Sequence, residues 1–246
     1  MVLDHLRHMV GSKGRALPGC RRGNRLWVVL LLLLPVLAAV SVLAASARFA
    51  VSFSDMSLWQ EKSFRGHTSY IKDNLDGRIV LRARAAGSAS GLYRRLPDEV
   101  AGLPVLTWSW KIRQTLAAEN PYRKEGEDYV ARVYLVFPGR FFWQTRALVY
   151  VWSDKLPVGT MIPSPYTGNV AVIAVESGNR HAGSWRQEAR NYRQDFQAFF
   201  HDPPPLPKAV AIMTDTDNTG SEAVAWYGEI GFSSAATDPV TDTLAQ

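Results

Sequence analysis

The chain has 246 residues, a formal net charge of +6 and a single cysteine. The charge is uneven: residues 1–47 hold six basic residues and one acid, and from Arg48 onward the two signs nearly balance. No basic nucleic-acid face is therefore expected of the remainder. With Cys20 inside the first 47 residues, a disulfide, a cysteine nucleophile and a cysteine metal site are excluded there as well.

The basic head is followed by a charge-free run from Leu26 to Ala47. Residues 1–47 read as a hydrophobic leader helix, either a signal peptide or a membrane anchor. Ala45-Ser46-Ala47 fits the small-residue pattern of a cleavage site, and Pro35 interrupts a continuous helix. The run of about 20 residues also suits a bilayer span. Both readings stay open. Both put the rest of the chain outside the cytoplasmic membrane, as a periplasmic domain released by signal peptidase or held at the inner membrane.

Beyond the leader, apolar and polar residues alternate with the period of half-buried strands. Short strands are expected near 58–65, 68–72, 89–95 and 104–112. Ile79, Leu81 and Ala83 alternate with Val80, Arg82 and Arg84. Tyr129, Ala131, Val133, Leu135 and Phe137 alternate with Asp128, Arg132 and Tyr134. Ala147, Val149 and Val151 alternate with Leu148, Tyr150 and Trp152, and Ala171, Ile173 and Val175 with Val172, Ala174 and Glu176. Val210, Ile212 and Thr214 alternate with Ala211, Met213 and Asp215, ahead of a last strand at 224–230. One helix is expected over about 185–200. Ser184 and Gln187 resemble a capping box, Trp185, Ala189, Tyr192, Phe196 and Phe199 recur at helical spacing, and Pro203-Pro204-Pro205 closes the helix. The fold class is mostly β: a jelly-roll-like antiparallel β-sandwich with one α-helix, as one domain over 48–235, and a flexible tail over 236–246.

If these strands share one sheet, its non-core face is polar with embedded aromatics. The ligand-binding candidates on it are Lys111, Asp128, Arg132, Tyr150, Trp152 and Asp215. Trp108 and Trp110 share a strand face with Leu106 and Ile112, which favours a place in the core, with Lys111 pointing the other way. Asp128 and Arg132, four residues apart on one strand, stand roughly 13 Å apart and must find partners elsewhere. On the expected helix, Glu188, Asn191 and Asp195 form one polar stripe and Arg190 lies away from it. His67, His181 and His201 are isolated, so zinc is not expected.

Asp215, Asp217, Thr219 and Gly220 match positions 1, 3, 5 and 6 of a calcium loop. Trp226 at position 12 and the strand that follows exclude an EF-hand. Two readings remain: a calcium site through Asp215, Asp217 and Thr219 completed from elsewhere, or a hairpin turn with Gly220 at positive φ. The turn is the simpler, and no cofactor is required.

Several segments together resemble an uncharacterised family of exported bacterial domains of unknown function. They are Ser90-Gly91-Leu92-Tyr93, Trp108-Ser109-Trp110-Lys111, Lys124-Glu125-Gly126-Glu127-Asp128 with Arg132-Val133-Tyr134, Tyr150-Val151-Trp152, Arg190-Asn191 with Asp195, and Asp215-Thr216-Asp217-Asn218-Thr219-Gly220. The resemblance covers most of 57–232. It implies an exported β-rich domain and supplies no activity. The ending Trp226-Tyr227-Gly228-Glu229-Ile230 and the strand count are also similar to galactose-binding jelly rolls.

The expected function is a non-catalytic envelope module that binds a carbohydrate-like ligand. One alternative is a glycan hydrolase or lyase using carboxylates among Glu125, Glu127, Asp128 and Asp215. Another is a protein–protein scaffold at the membrane. The expected partners are the cytoplasmic membrane, through the leader, and an envelope glycan or protein.

Overall fold

A computed structural model describes residues 47–75 and 77–234. The expectations for the leader and for the tail from 236 lie outside these residues. Among the described residues, no helix is long and apolar enough to cross a membrane.

Among the described residues, thirteen strands alternate as their side chains do. They are β1 (Arg48–Val51), β2 (Gln60–Arg65), β3 (Ser69–Leu75), β4 (Arg78–Ala86), β5 (Ala89–Arg95), β6 (Val105–Ile112), β7 (Ala131–Phe137), β8 (Arg146–Ser153), β9 (Met161–Ser164), β10 (Thr167–Ser177), β11 (Arg186–Asn191), β12 (Ala209–Asp215) and β13 (Glu222–Ser233). One sheet runs β11-β6-β13-β4-β3, with β1 also paired to β13. The other runs β2-β5-β12-β7-β8-β10-β9. Their inner faces share one core. Leu81, Trp108, Trp110 and Phe232 of the first sheet bury with Val133, Leu135, Ile173 and Ile212 of the second. Trp108 packs on Tyr150 at 5.0 Å between ring centroids, and Trp110 on Trp152 at 5.9 Å.

The sheets are not purely antiparallel, as β8 and β10 pair in parallel. The chain leaves β8 and returns along β9. It then turns and slots β10 between the two, antiparallel to β9 and so parallel to β8.

The expected helix is shorter than its apolar spacing suggests. Residues 186–191 are an edge strand paired to β6, and the helix α1 spans Tyr192–Phe200. Its N-cap is Asn191, whose side chain accepts from the amides of Arg193 and Gln194. Tyr192 and Phe196 anchor it on Phe137. The polar stripe expected on it is broken up accordingly: Glu188 and Asn191 precede the helix, and Arg190 pairs with Asp195 instead of lying apart.

The two ends of the sandwich are distinct. Arg48, Val105, Asn191 and Ser233 line up at one, in register with each other. Residues 96–104 lead there from Arg95, which aligns with Ala209, Val136 and Ala147 of the second sheet. The opposite end carries Asp215, paired with Ala89.

Candidate functional site

The outer faces of β2, β5, β12 and β7 form one trough. Alternation sends Ala89, Gly91 and Tyr93 outward from β5, Ala211, Met213 and Asp215 from β12, and Arg132, Tyr134 and Val136 from β7, while their neighbours fill the core. Small residues make the floor. A Cβ on Gly91 would meet the Ile212 carbonyl at 3.0 Å, so this position keeps the floor low. Phe64 and Lys62 of β2 form one wall, and Tyr166, from the turn before β10, closes part of the other. The groove opens to solvent, and its cavity is about 100 Å³.

Its charged end is built around Arg132, which is 3% exposed. The Nε donates to Asp215 Oδ1 at 2.8 Å, and Nη2 donates to Asp215 Oδ2. Nη1 donates to Glu127 Oε1 at 3.1 Å and to the Tyr134 hydroxyl at 3.3 Å, and Nη2 to the Glu127 carbonyl at 2.7 Å. The guanidinium lies 4.6 Å from the Tyr129 ring centroid. Asp128 stands behind this pair, fully buried, accepting from the Asn218 amide, the Asn218 side chain and the Thr219 amide.

Four carboxylates, Glu127, Asp128, Asp215 and Asp217, thus gather near one guanidinium. Burial pushes Asp215 well above the usual carboxylate range, with Arg132 pulling back and Asp128 pushing further. Burial also raises Glu127 against the pull of Arg132, and raises Asp217 with the help of Asp128. Burial works against the charge on Arg132, but Asp215 and Glu127 outweigh it and hold the guanidinium above its ordinary value. Asp128, Asp215 and Asp217 each bring a carboxylate oxygen within 4.8 Å of the others, so these are the residues that could hold a cation. Asp215 already receives Arg132 and Asp128 already receives Asn218 and Thr219, so a cation would compete with those donors.

Of the six ligand candidates, the structure brings together Asp128, Arg132 and Asp215. Tyr150 and Trp152 are misplaced by the sequence reading. They face the core against Trp108 and Trp110, and it is Val149 and Val151 that point outward. Both faces of β8 are apolar because Tyr129, Leu156 and Ile162 cover its outer side, so alternation could not orient it. Tyr150 instead donates to Asp195 at 2.9 Å. Lys111 belongs to the other sheet, between the rings of Trp226 at 4.7 Å and Trp185 at 5.5 Å.

The segment before β7 is not extended. A 3-10 turn at Lys124–Gly126 folds it back, so Glu127 reaches Arg132 directly and Asp128 is no part of the strand. Glu125 is left exposed. The Asp215–Gly220 segment is a turn with Gly220 at φ +64, closed by the Gly220 amide on the Thr216 carbonyl. It joins two different sheets, however, and is no hairpin. Lys62, Phe64, Gly91, Tyr93, Tyr166 and Asn218 also line the groove and were not among the candidates. A glycine inside a strand flanked by Tyr93 was the available signal of a recessed floor.

The fold and site define a β-sandwich domain with an aromatic-walled groove ending in a buried charge cluster. The chain belongs to the family described as Protein of unknown function (DUF3047), whose pattern matches residues 57–231. None of the curated proteins matches it by sequence. Among solved structures, it is similar to the family 11 carbohydrate-binding module of a cellulosomal cellulase of Clostridium thermocellum, with 12% identity over 77% of this chain and 95% of that one, TM-score 0.43. It is similar to the xyloglucanase domain of NopAA, a type three effector from Sinorhizobium fredii, at 6% identity over 77% and 98%, TM-score 0.41. A lectin from Bauhinia forficata in complex with GalNAc matches at 11% identity over 77% and 98%, TM-score 0.35. Likeness of this degree says nothing of a ligand.

Proposed function

We propose that the protein is a non-catalytic binding module of the cell envelope whose groove holds a carbohydrate. The observation that carries this is the groove itself, with Phe64, Tyr93, Tyr134 and Tyr166 as ring-sized apolar surfaces and Lys62, Asp217 and Asn218 as hydrogen-bonding groups at its rim and charged end. A sugar ring has an apolar face for an aromatic ring and hydroxyls for polar neighbours. The Arg132–Asp215 pair ties the floor strands β7 and β12 together, so little order is lost there on binding. The leader pattern supports a place outside the cytoplasmic membrane. Calorimetric titration of the purified protein with envelope polysaccharides tests the reading. Phe64→Ala and Tyr134→Ala should each weaken binding about tenfold.

The carboxylate trio favours a second reading, hydrolysis of a glycan. One carboxylate oxygen of each lies within 4.8 Å of the others, near enough for a pair to act on one bond, and Asp217 is the half-buried member with a raised proton affinity. Reducing ends released by wild type and not by Asp217→Asn would establish it. No release at stoichiometric protein would remove it.

A further inference from the structure

We propose that the Arg48 end of the sandwich is a docking surface for a bilayer carrying anionic phospholipid. The residues between β7 and β8 present Phe141 and Trp143 to water, 47% and 53% exposed, with their rings 4.7 Å apart and nearly parallel. This is a built tip. The Phe141 amide donates to the Gln144 side chain at 3.2 Å, the Gln144 amide donates to the Phe141 carbonyl at 3.0 Å, and Asn169 Nδ2 donates to the Trp143 carbonyl at 2.8 Å. Holding two large rings in water costs free energy unless something else covers them.

Three observations favour a lipid surface. The tip stands beyond Phe137 and Arg146, at the end where the chain enters the sandwich at Arg48, directly after its charge-free run. Exposed Leu58 lines a hollow at this same end with Arg94, Arg95 and Pro97. The charges suit anionic headgroups: Arg140 lies over Phe141 at 5.6 Å, and Arg48 and Arg94 join it. The local acids Asp98 and Asp202 are paired with Lys208 and Arg146, and against Asp55, which has Arg94 nearby, and Glu99 stand Arg48, Arg94 and Arg140. Aromatic rings with adjacent arginines sit at headgroup depth, where the rings leave water and the guanidinium groups stay in it.

The test uses the full chain in vesicles of equal parts phosphatidylcholine and phosphatidylglycerol, with and without brominated acyl chains. Bromine quenches indoles that enter the bilayer. Wild type should show a quenched component that Trp143→Phe lacks, over whatever Trp27 contributes to both. Phenylalanine keeps the ring stack, so a folding defect is not expected to confuse the comparison. In phosphatidylcholine alone, or with Arg140→Gln, the component should shrink about twofold. Equal quenching of wild type and Trp143→Phe would overturn the proposal and leave the tip to water or a protein partner. A component indifferent to phosphatidylglycerol would overturn the anionic assignment.

Discussion

Arg132 is buried with both oxygens of Asp215 and one of Glu127 around it. Removing one partner of such an arrangement strands the others in a low dielectric. Arg132→Ala should therefore cost about 3–5 kcal/mol of unfolding free energy at pH 7, read from urea midpoints. A loss near zero would mean the cluster is not assembled this way. Glu188 makes the second prediction. Burial first, then Glu176, pushes its carboxyl up to about 7, while the Trp110 indole donates to it at 3.2 Å. Its folded proton affinity exceeds the unfolded one, whose ordinary value is 4.5. The folded state thus binds more protons between pH 4.5 and about 7, and stability falls as pH rises through that window. Glu188→Gln should remove that slope: the difference in unfolding free energy from wild type should widen in its favour from pH 5 to pH 8. A pH-independent difference would contradict this. At this scale the chemistry was partly legible in sequence. Arg132, Asp128 and Asp215 stood out as charges on strand patterns, but the fold-back that brings Glu127 to Arg132 depends on a short turn that alternation cannot register.

At the scale of elements, the clearest case is the junction of β11 and α1. The aromatic spacing from Trp185 to Phe199 fits a helix, yet pairing to β6 holds residues 186–191 extended. Hydrogen bonding to a neighbouring strand outweighed local period. The true start is the cap. Asn191→Ala should cost about 1 kcal/mol, whereas Ser184→Ala, the start the spacing suggested, should cost only a few tenths of that. Equal losses in thermal melts would contradict the assignment. The strands themselves were readable wherever one face is polar, as in β7, whose Arg132 and Tyr134 lie on the groove floor as expected. They were unreadable where both faces are apolar, as in β8, because parity then carries no information.

At the scale of the molecule, the two ends differ. The Asp215 end holds the acid-rich cluster at the charged end of the groove, and the Arg48 end carries arginines and exposed rings. A protein docked through the second end would present the first away from the bilayer. The two-sheet architecture followed from strand count and turns. The groove did not, because its walls come from β2 and from the turn before β10, far from its floor in sequence. The central claim is that this groove binds a glycan. The most direct measurement is calorimetric titration of wild type, Phe64→Ala and Tyr134→Ala with envelope polysaccharide fragments, alongside circular dichroism to confirm folding. Saturable binding by wild type, weakened about tenfold in both folded variants, is the predicted result. Wild type that binds none of the fragments, or folded variants that bind as well as wild type, would contradict it.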